Sequence, residues 1–118
     1  MRLAEIVEHL SIPTPKVTGY LLNVNHKDGG PKAAFFMRFG FDPERAVELM
    51  DALLEHGDMN EITTTETDSE ATVYTVEGAI VSPDGRNPRV RTVWQVDVGS
   101  SIARFITAVP RSRRRGNR

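Results

Sequence analysis

The sequence contains no cysteine in 118 residues, which excludes a disulfide framework, thiolate zinc sites and thiol nucleophiles together. It also lacks any apolar run approaching the ~20 residues that span a bilayer. The opening segment Met1–Leu10 mixes Glu5, Glu8 and His9 with its apolar residues. It therefore reads as neither signal peptide nor membrane anchor, and the expected location is cytoplasmic. Histidine is scarce, at positions 9, 26 and 56 without HxxxH or HxH spacing, so neither a metal nor a cofactor is expected. A nucleotide-binding glycine loop is missing too, because Gly29-Gly30-Pro31-Lys32 has the wrong spacing and follows no strand.

What is present supports one ordinary core: 39% of residues are hydrophobic and 26% charged. Residues 1–110 are expected to form a single α+β domain, and 111–118 a basic, disordered tail. The net charge of −1 hides an asymmetry. Residues 1–70 hold six Lys/Arg against thirteen Asp/Glu, whereas residues 71–118 hold nine Arg against three acids. Five of those arginines sit in the tail, a generic polyanion attractor. Arg86, Arg89, Arg91 and Arg104 remain within the predicted strands and their connection, so the sheet itself is basic.

Along the chain, Leu3, Ile6, Val7 and Leu10 have helical spacing, broken by Pro13 and Pro15. Thr14 and Pro15 start a short helix to Leu22 that is expected to bury Val17, Tyr20 and Leu21. The turn-rich stretch 23–30 predicts an exposed loop, followed by a helix over 32–39 that closes at Gly40. Asp42-Pro43 opens the strongest helix, whose stripe Ala46, Val47, Met50, Leu53 and Leu54 is expected to stop at Gly57. Strands are predicted over 62–66, 72–81, 89–98 and 102–109, with a turn at Pro83-Asp84-Gly85. The expected architecture is a set of N-terminal helices on one face of a three- or four-stranded antiparallel sheet.

Two places can carry chemistry. His26 shares its loop with Lys27 and Asp28, and Lys32 lies one turn into the next helix, so an imidazole, a cation and backbone N–H groups could meet one anion. His9 and His56 read as surface residues at helix ends. On the strand 89–98, Arg89 and Arg91 are expected on the open face to grip phosphates, with Thr92 and Trp94 alongside. Trp94 reads either as core or as a base-stacking platform.

The ordered set Tyr20-Leu21-Leu22-Asn23, His26 with Gly29 and Gly30, Lys32-Ala33, Phe36 and Gly40-Phe41, then Pro83-Asp84-Gly85, Val90-Arg91-Thr92-Val93-Trp94 and Phe105-Ile106-Thr107-Ala108, resembles a small bacterial family of domains of unknown function. It looks like the C-terminal toxin modules of contact-dependent inhibition and other polymorphic toxin systems. That resemblance implies the barnase–EndoU–colicin–RelE type of fold and a metal-independent ribonuclease, often aimed at tRNA. Its implied partners are RNA and a cognate antitoxin or immunity protein.

The same resemblance implies catalytic roles for His26, Lys32, Arg91 and Thr107, with Arg89, Thr92 and Trp94 contacting substrate. Metal-free cleavage needs a base for the ribose 2′-OH, an acid for the 5′-oxygen and cations for the phosphate. An imidazole, with its ordinary pKa of roughly 6.5, suits proton transfer at neutral pH. One departure is that relatives tend to carry Thr-x-Tyr where this chain has Thr107-Ala108-Val109. A non-catalytic RNA- or protein-binding module is therefore the second expectation, and an acidic antitoxin-like protein a weaker third.

Overall fold

The computed structural model describes residues 1–111, so the expected tail lies outside the described residues except for Arg111. The β-branched second half forms β2 (Ile62–Thr67), β3 (Ala71–Ala79), β4 (Arg89–Asp97) and β5 (Ile102–Pro110), joined as antiparallel neighbours. Alternation explains why these segments are strands. Val90, Thr92 and Trp94 are buried while Arg91 and Val93 between them stand on the other face.

The sheet has five strands, not three or four, and it is mixed. The extra strand is β1 (His9–Ser11), parallel to β5 with His9 opposite Ile102 and Ser11 opposite Arg104, in the order β1-β5-β4-β3-β2. The helical spacing of Leu3 to Leu10 predicted otherwise; only a 3-10 turn forms, at Leu3–Glu5. So short a segment, stopped by Pro13, cannot repay helix nucleation. The free edge of β5 offers it partners instead, beginning with Glu8 N–H to the Ser101 carbonyl at 2.8 Å.

One face of the sheet is covered by α1 (Thr14–Lys16), which runs into a π-helical turn at Val17–Leu21, by α2 (Gly30–Arg38) and by α3 (Ala46–Met59). Trp94, Phe36, Phe105, Leu49 and Leu53 are fully buried between the layers. Each such side chain contributes about 1.5–3 kcal/mol of burial free energy. Trp94 and Phe105 meet edge to face, with ring centroids 5.3 Å apart.

Two sequence expectations change in α3. Gly57 does not end the helix, which continues to Met59. It makes room for the indole instead, since a Cβ there would lie 2.6 Å from Trp94 Cζ2. His56 is not a surface residue but 2% exposed. Its Nε2 faces the carbonyls of Gly78 and Val90 at 3.1 and 3.2 Å, so that nitrogen carries the proton. Nδ1 then accepts from the Thr92 hydroxyl at 3.0 Å, which in turn accepts from Trp94 Nε1–H at 2.8 Å. This buried chain joins α3 to β3 and β4 with every polar atom satisfied.

Candidate active site

The shortness of β1 creates the site. It pairs only with Ile102–Arg104, leaving the outer edge of β5 beyond them without a strand neighbour. At that point β5 carries a bulge: Trp94 is opposite Phe105 but Val93 is opposite Thr107, so Ile106 is the extra residue. Bulges re-aim side chains. Here Phe105 and Ala108 stay in the core while Ile106 and Thr107 line a surface groove.

The opposite wall comes from the π turn and the loop after it. Gly19 sits inside that turn, and the Leu22 N–H reaches back to the Val17 carbonyl at 2.9 Å. The wider turn brings Tyr20 to the edge of β5, half-buried rather than in the core as expected. In the loop, His26 Nδ1 accepts the backbone N–H groups of both Asp28 and Gly29 at 2.9 Å. A neutral His26 ring therefore carries its proton on Nε2. Gly29 is required by contact, because a Cβ would lie 2.2 Å from the Tyr20 carbonyl oxygen. The imidazole stands edge-on to the Tyr20 ring at 5.0 Å.

Lys32, on the first turn of α2, closes the cluster. Its Nζ donates to Tyr20 Oη at 2.6 Å and to Thr107 Oγ1 at 2.9 Å, and those two oxygens are 3.3 Å apart. Partial burial acts to raise the pKa of Tyr20. Hydrogen bonds from Lys32 and Thr107, with the Lys32 charge, outweigh it and hold the phenol below its ordinary 10.0. The groove has a volume of about 610 Å³; its walls include Pro13, Pro15, Lys16, Tyr20, His26 and Thr107. A second ammonium, that of Lys16, lies 5.9 Å from the Tyr20 ring centre. The arrangement offers an anion two ammonium groups, a hydroxyl and an imidazole N–H next to an acidified phenol.

Three residues expected to act together, His26, Lys32 and Thr107, are thus brought to one groove. Arg91 does not line that groove: its Nε is bonded to Glu77 at 2.9 Å on the open face of the sheet. Arg89 is exposed at the start of β4. Thr92 and Trp94, expected to contact substrate, are fully buried with His56, so no substrate reaches them in this conformation. Tyr20 was read as core from its helical spacing; its place at the head of the motif reaching to His26 and Lys32 was the available signal. For His56 the signal was its position on the stripe Leu49, Ala52, Leu53, His56. Among the described residues, no group of three or more His, Asp or Glu is placed to hold a metal ion, and no helix is long and apolar enough to cross a membrane.

A family model, described as "Domain of unknown function (DUF6883)", matches residues 2–112. The chain belongs to this family. No curated protein matches the chain. Among solved structures, the fold is similar to a chain of the contact-dependent growth inhibition toxin–immunity protein complex from Klebsiella pneumoniae 342. The TM-score is 0.67 at 21% identity, over 85% of this chain and 98% of that one. The likeness shows a common α+β fold.

Proposed function

We propose that this protein is a metal-independent endoribonuclease of the toxin kind, acting on RNA, with tRNA the expected class, and restrained by a cognate immunity or antitoxin protein. The observation that carries the reading is the Lys32 ammonium bonded at once to Tyr20 Oη and Thr107 Oγ1, two residues that line one surface groove. The fold it shares with a chain of a toxin–immunity complex supports the same reading.

In this scheme Tyr20, in its phenolate form, takes the proton of the ribose 2′-OH at Oη as the 2′-oxygen attacks phosphorus, and afterwards returns that proton to the Lys32 amine. The bond from phosphorus to the 5′-oxygen breaks, and the leaving oxygen takes a proton from the Lys32 ammonium. Thr107 and the Nε2–H of His26 donate to the non-bridging oxygens, where charge gathers. His26 is thereby a hydrogen-bond donor rather than the proton-transfer group, because backbone N–H groups occupy its Nδ1.

The test is to incubate purified protein with tRNA and total RNA in EDTA, beside Lys32→Ala and Tyr20→Phe. Fragments ending in 2′,3′-cyclic phosphate are expected from the unaltered protein alone; intact RNA throughout overturns the assignment. A non-catalytic binding module is the second reading, favoured by Val109 and by the engagement of Arg91 with Glu77. Expression in a bacterial host separates the two: growth arrest relieved by a neighbouring gene's product supports the nuclease, and harmless accumulation supports the binder.

A further inference from the structure

We infer that Glu77, Arg91 and Arg111 form a second site, a phosphodiester clamp on the open face of the sheet that holds the RNA strand beside the groove. This rests on the ribonuclease reading and extends it to residues outside the groove. Arg91 on β4 stands opposite Glu77 on β3, and Arg111 follows β5 directly. The two carboxylate oxygens of Glu77 are divided between them: Oε2 accepts from Arg91 Nε at 2.9 Å and Oε1 from Arg111 Nε at 3.1 Å.

Each guanidinium spends only its Nε on the bridge. Among the described residues the η nitrogens of both meet no acceptor, and their side chains are 37% and 43% exposed. Two planar forks fixed on one carboxylate, with their outer N–H groups open to solvent and one net positive charge between them, match the oxygens of a phosphodiester. Partial burial acts to raise the pKa of Glu77, and the two arginines overcome it and hold the group below its ordinary 4.5, so the orienting carboxylate stays ionised. Stability gives little reason for the bridge. Ion pairs this exposed contribute about 0–1 kcal/mol, and the backbone ladder already joins these strands, with the Arg111 N–H bonded to the Arg89 carbonyl at 3.0 Å.

The clamp and the groove share one side of the sheet. Directly opposed residues share a face, and the register pairs Arg91 with Val109 and Val93 with Thr107. Arg91 is therefore the diagonal neighbour of Thr107, roughly 7–8 Å away between Cα atoms. A strand with its scissile phosphate on Lys32 and Thr107 would bring a neighbouring phosphate to the two arginines.

Binding is measured by fluorescence anisotropy with a fluorescein-labelled, fully 2′-O-methylated oligoribonucleotide, which cannot be cut. Arg91→Ala and Arg111→Ala are each expected to raise Kd about tenfold and to lower the steepness of the salt dependence by about 0.7. Glu77→Gln gives the sharper result. Removing a negative charge would tighten binding if only net charge mattered, whereas loss of the orienting carboxylate weakens it several-fold. Arg111→Ala lies at the exposed end of β5, so it keeps the test valid if Glu77→Gln fails to fold. Tighter binding by Glu77→Gln, or an unchanged Kd in both arginine variants, overturns the clamp. Cleavage of unmodified RNA by the unaltered protein, scored separately, decides the ribonuclease reading whichever way the clamp falls.

Discussion

His26 and His56 are the same residue type put to opposite uses. His26 has its Nδ1 filled by two backbone N–H groups and presents Nε2–H to an open groove. His56 has both ring nitrogens filled from inside the protein, by two carbonyls and a hydroxyl, and is buried. An imidazole whose every polar atom is spent on neighbours stabilises the fold and has nothing left to offer a ligand. The difference lies in which partners surround the ring, not in where the histidine falls in a helix or loop.

The comparison breaks most visibly through substitution at each end. Lys32→Ala removes the cation that joins Tyr20 to Thr107 and is expected to lower kcat/KM on tRNA by about 10²–10³. Its stability should change little, since the ammonium is at the surface of the cluster; gel-based cleavage rates and a urea titration check the two halves. His56→Ala should do the reverse. Leaving a cavity and an unpaired Thr92 hydroxyl beside Trp94 costs about 2–4 kcal/mol, read as a fall in the urea midpoint, with activity per folded molecule retained. Gly57→Ala tests the same packed wall from the helix side. A methyl driven against the indole should cost about 1–3 kcal/mol, and an unchanged melting temperature would mean that the helix can shift away from Trp94.

His26→Ala sharpens the contrast at smaller scale. Losing one hydrogen bond to a charged phosphate oxygen should reduce kcat/KM by roughly tenfold, an effect well short of that at Lys32. If His26→Ala instead abolishes cleavage as completely as Lys32→Ala, the imidazole is transferring a proton after all. The loop it holds would then have to rearrange in the complex to release Nδ1.

Much of this frame was legible in the residues, and the misses share a cause. Period-two alternation and turn chemistry placed β2 to β5 within two residues of their observed ends, because each strand carries its own pattern. The β1 strand could not be read that way. Its pairing is with Ile102–Arg104, some ninety positions along the chain, and its own residues have helical spacing. The site divides along the same line. His26 and Lys32 lie close in sequence and were found together, and Thr107 came from the resemblance. Arg91 was expected with them because the pairing of β3 and β4 that sets it directly opposite Glu77 leaves no mark in a single strand. Trp94 read either as core or as a stacking platform, and the packing of its indole against Gly57, a contact between distant segments, makes it core.

The gentlest test of the comparison uses acid alone. Burial holds the pKa of His56 below its ordinary 6.5, and hydrogen bonds to the Gly78 and Val90 carbonyls only partly oppose that. The unfolded chain therefore binds a proton at a pH where the native ring does not, so stability rises with pH across that interval. The His56 contribution is complete above about 6.5 and declines as pH falls toward the lower native value. Protonation would set an N–H at Nδ1 against the Trp94 and Thr92 donors, with Arg89 nearby adding repulsion. Thermal melts from pH 7.5 down to 5 should show a falling midpoint in the unaltered protein and a flatter profile in His56→Gln. Parallel profiles would mean that other groups, not the buried ring, set the acid limit of the fold.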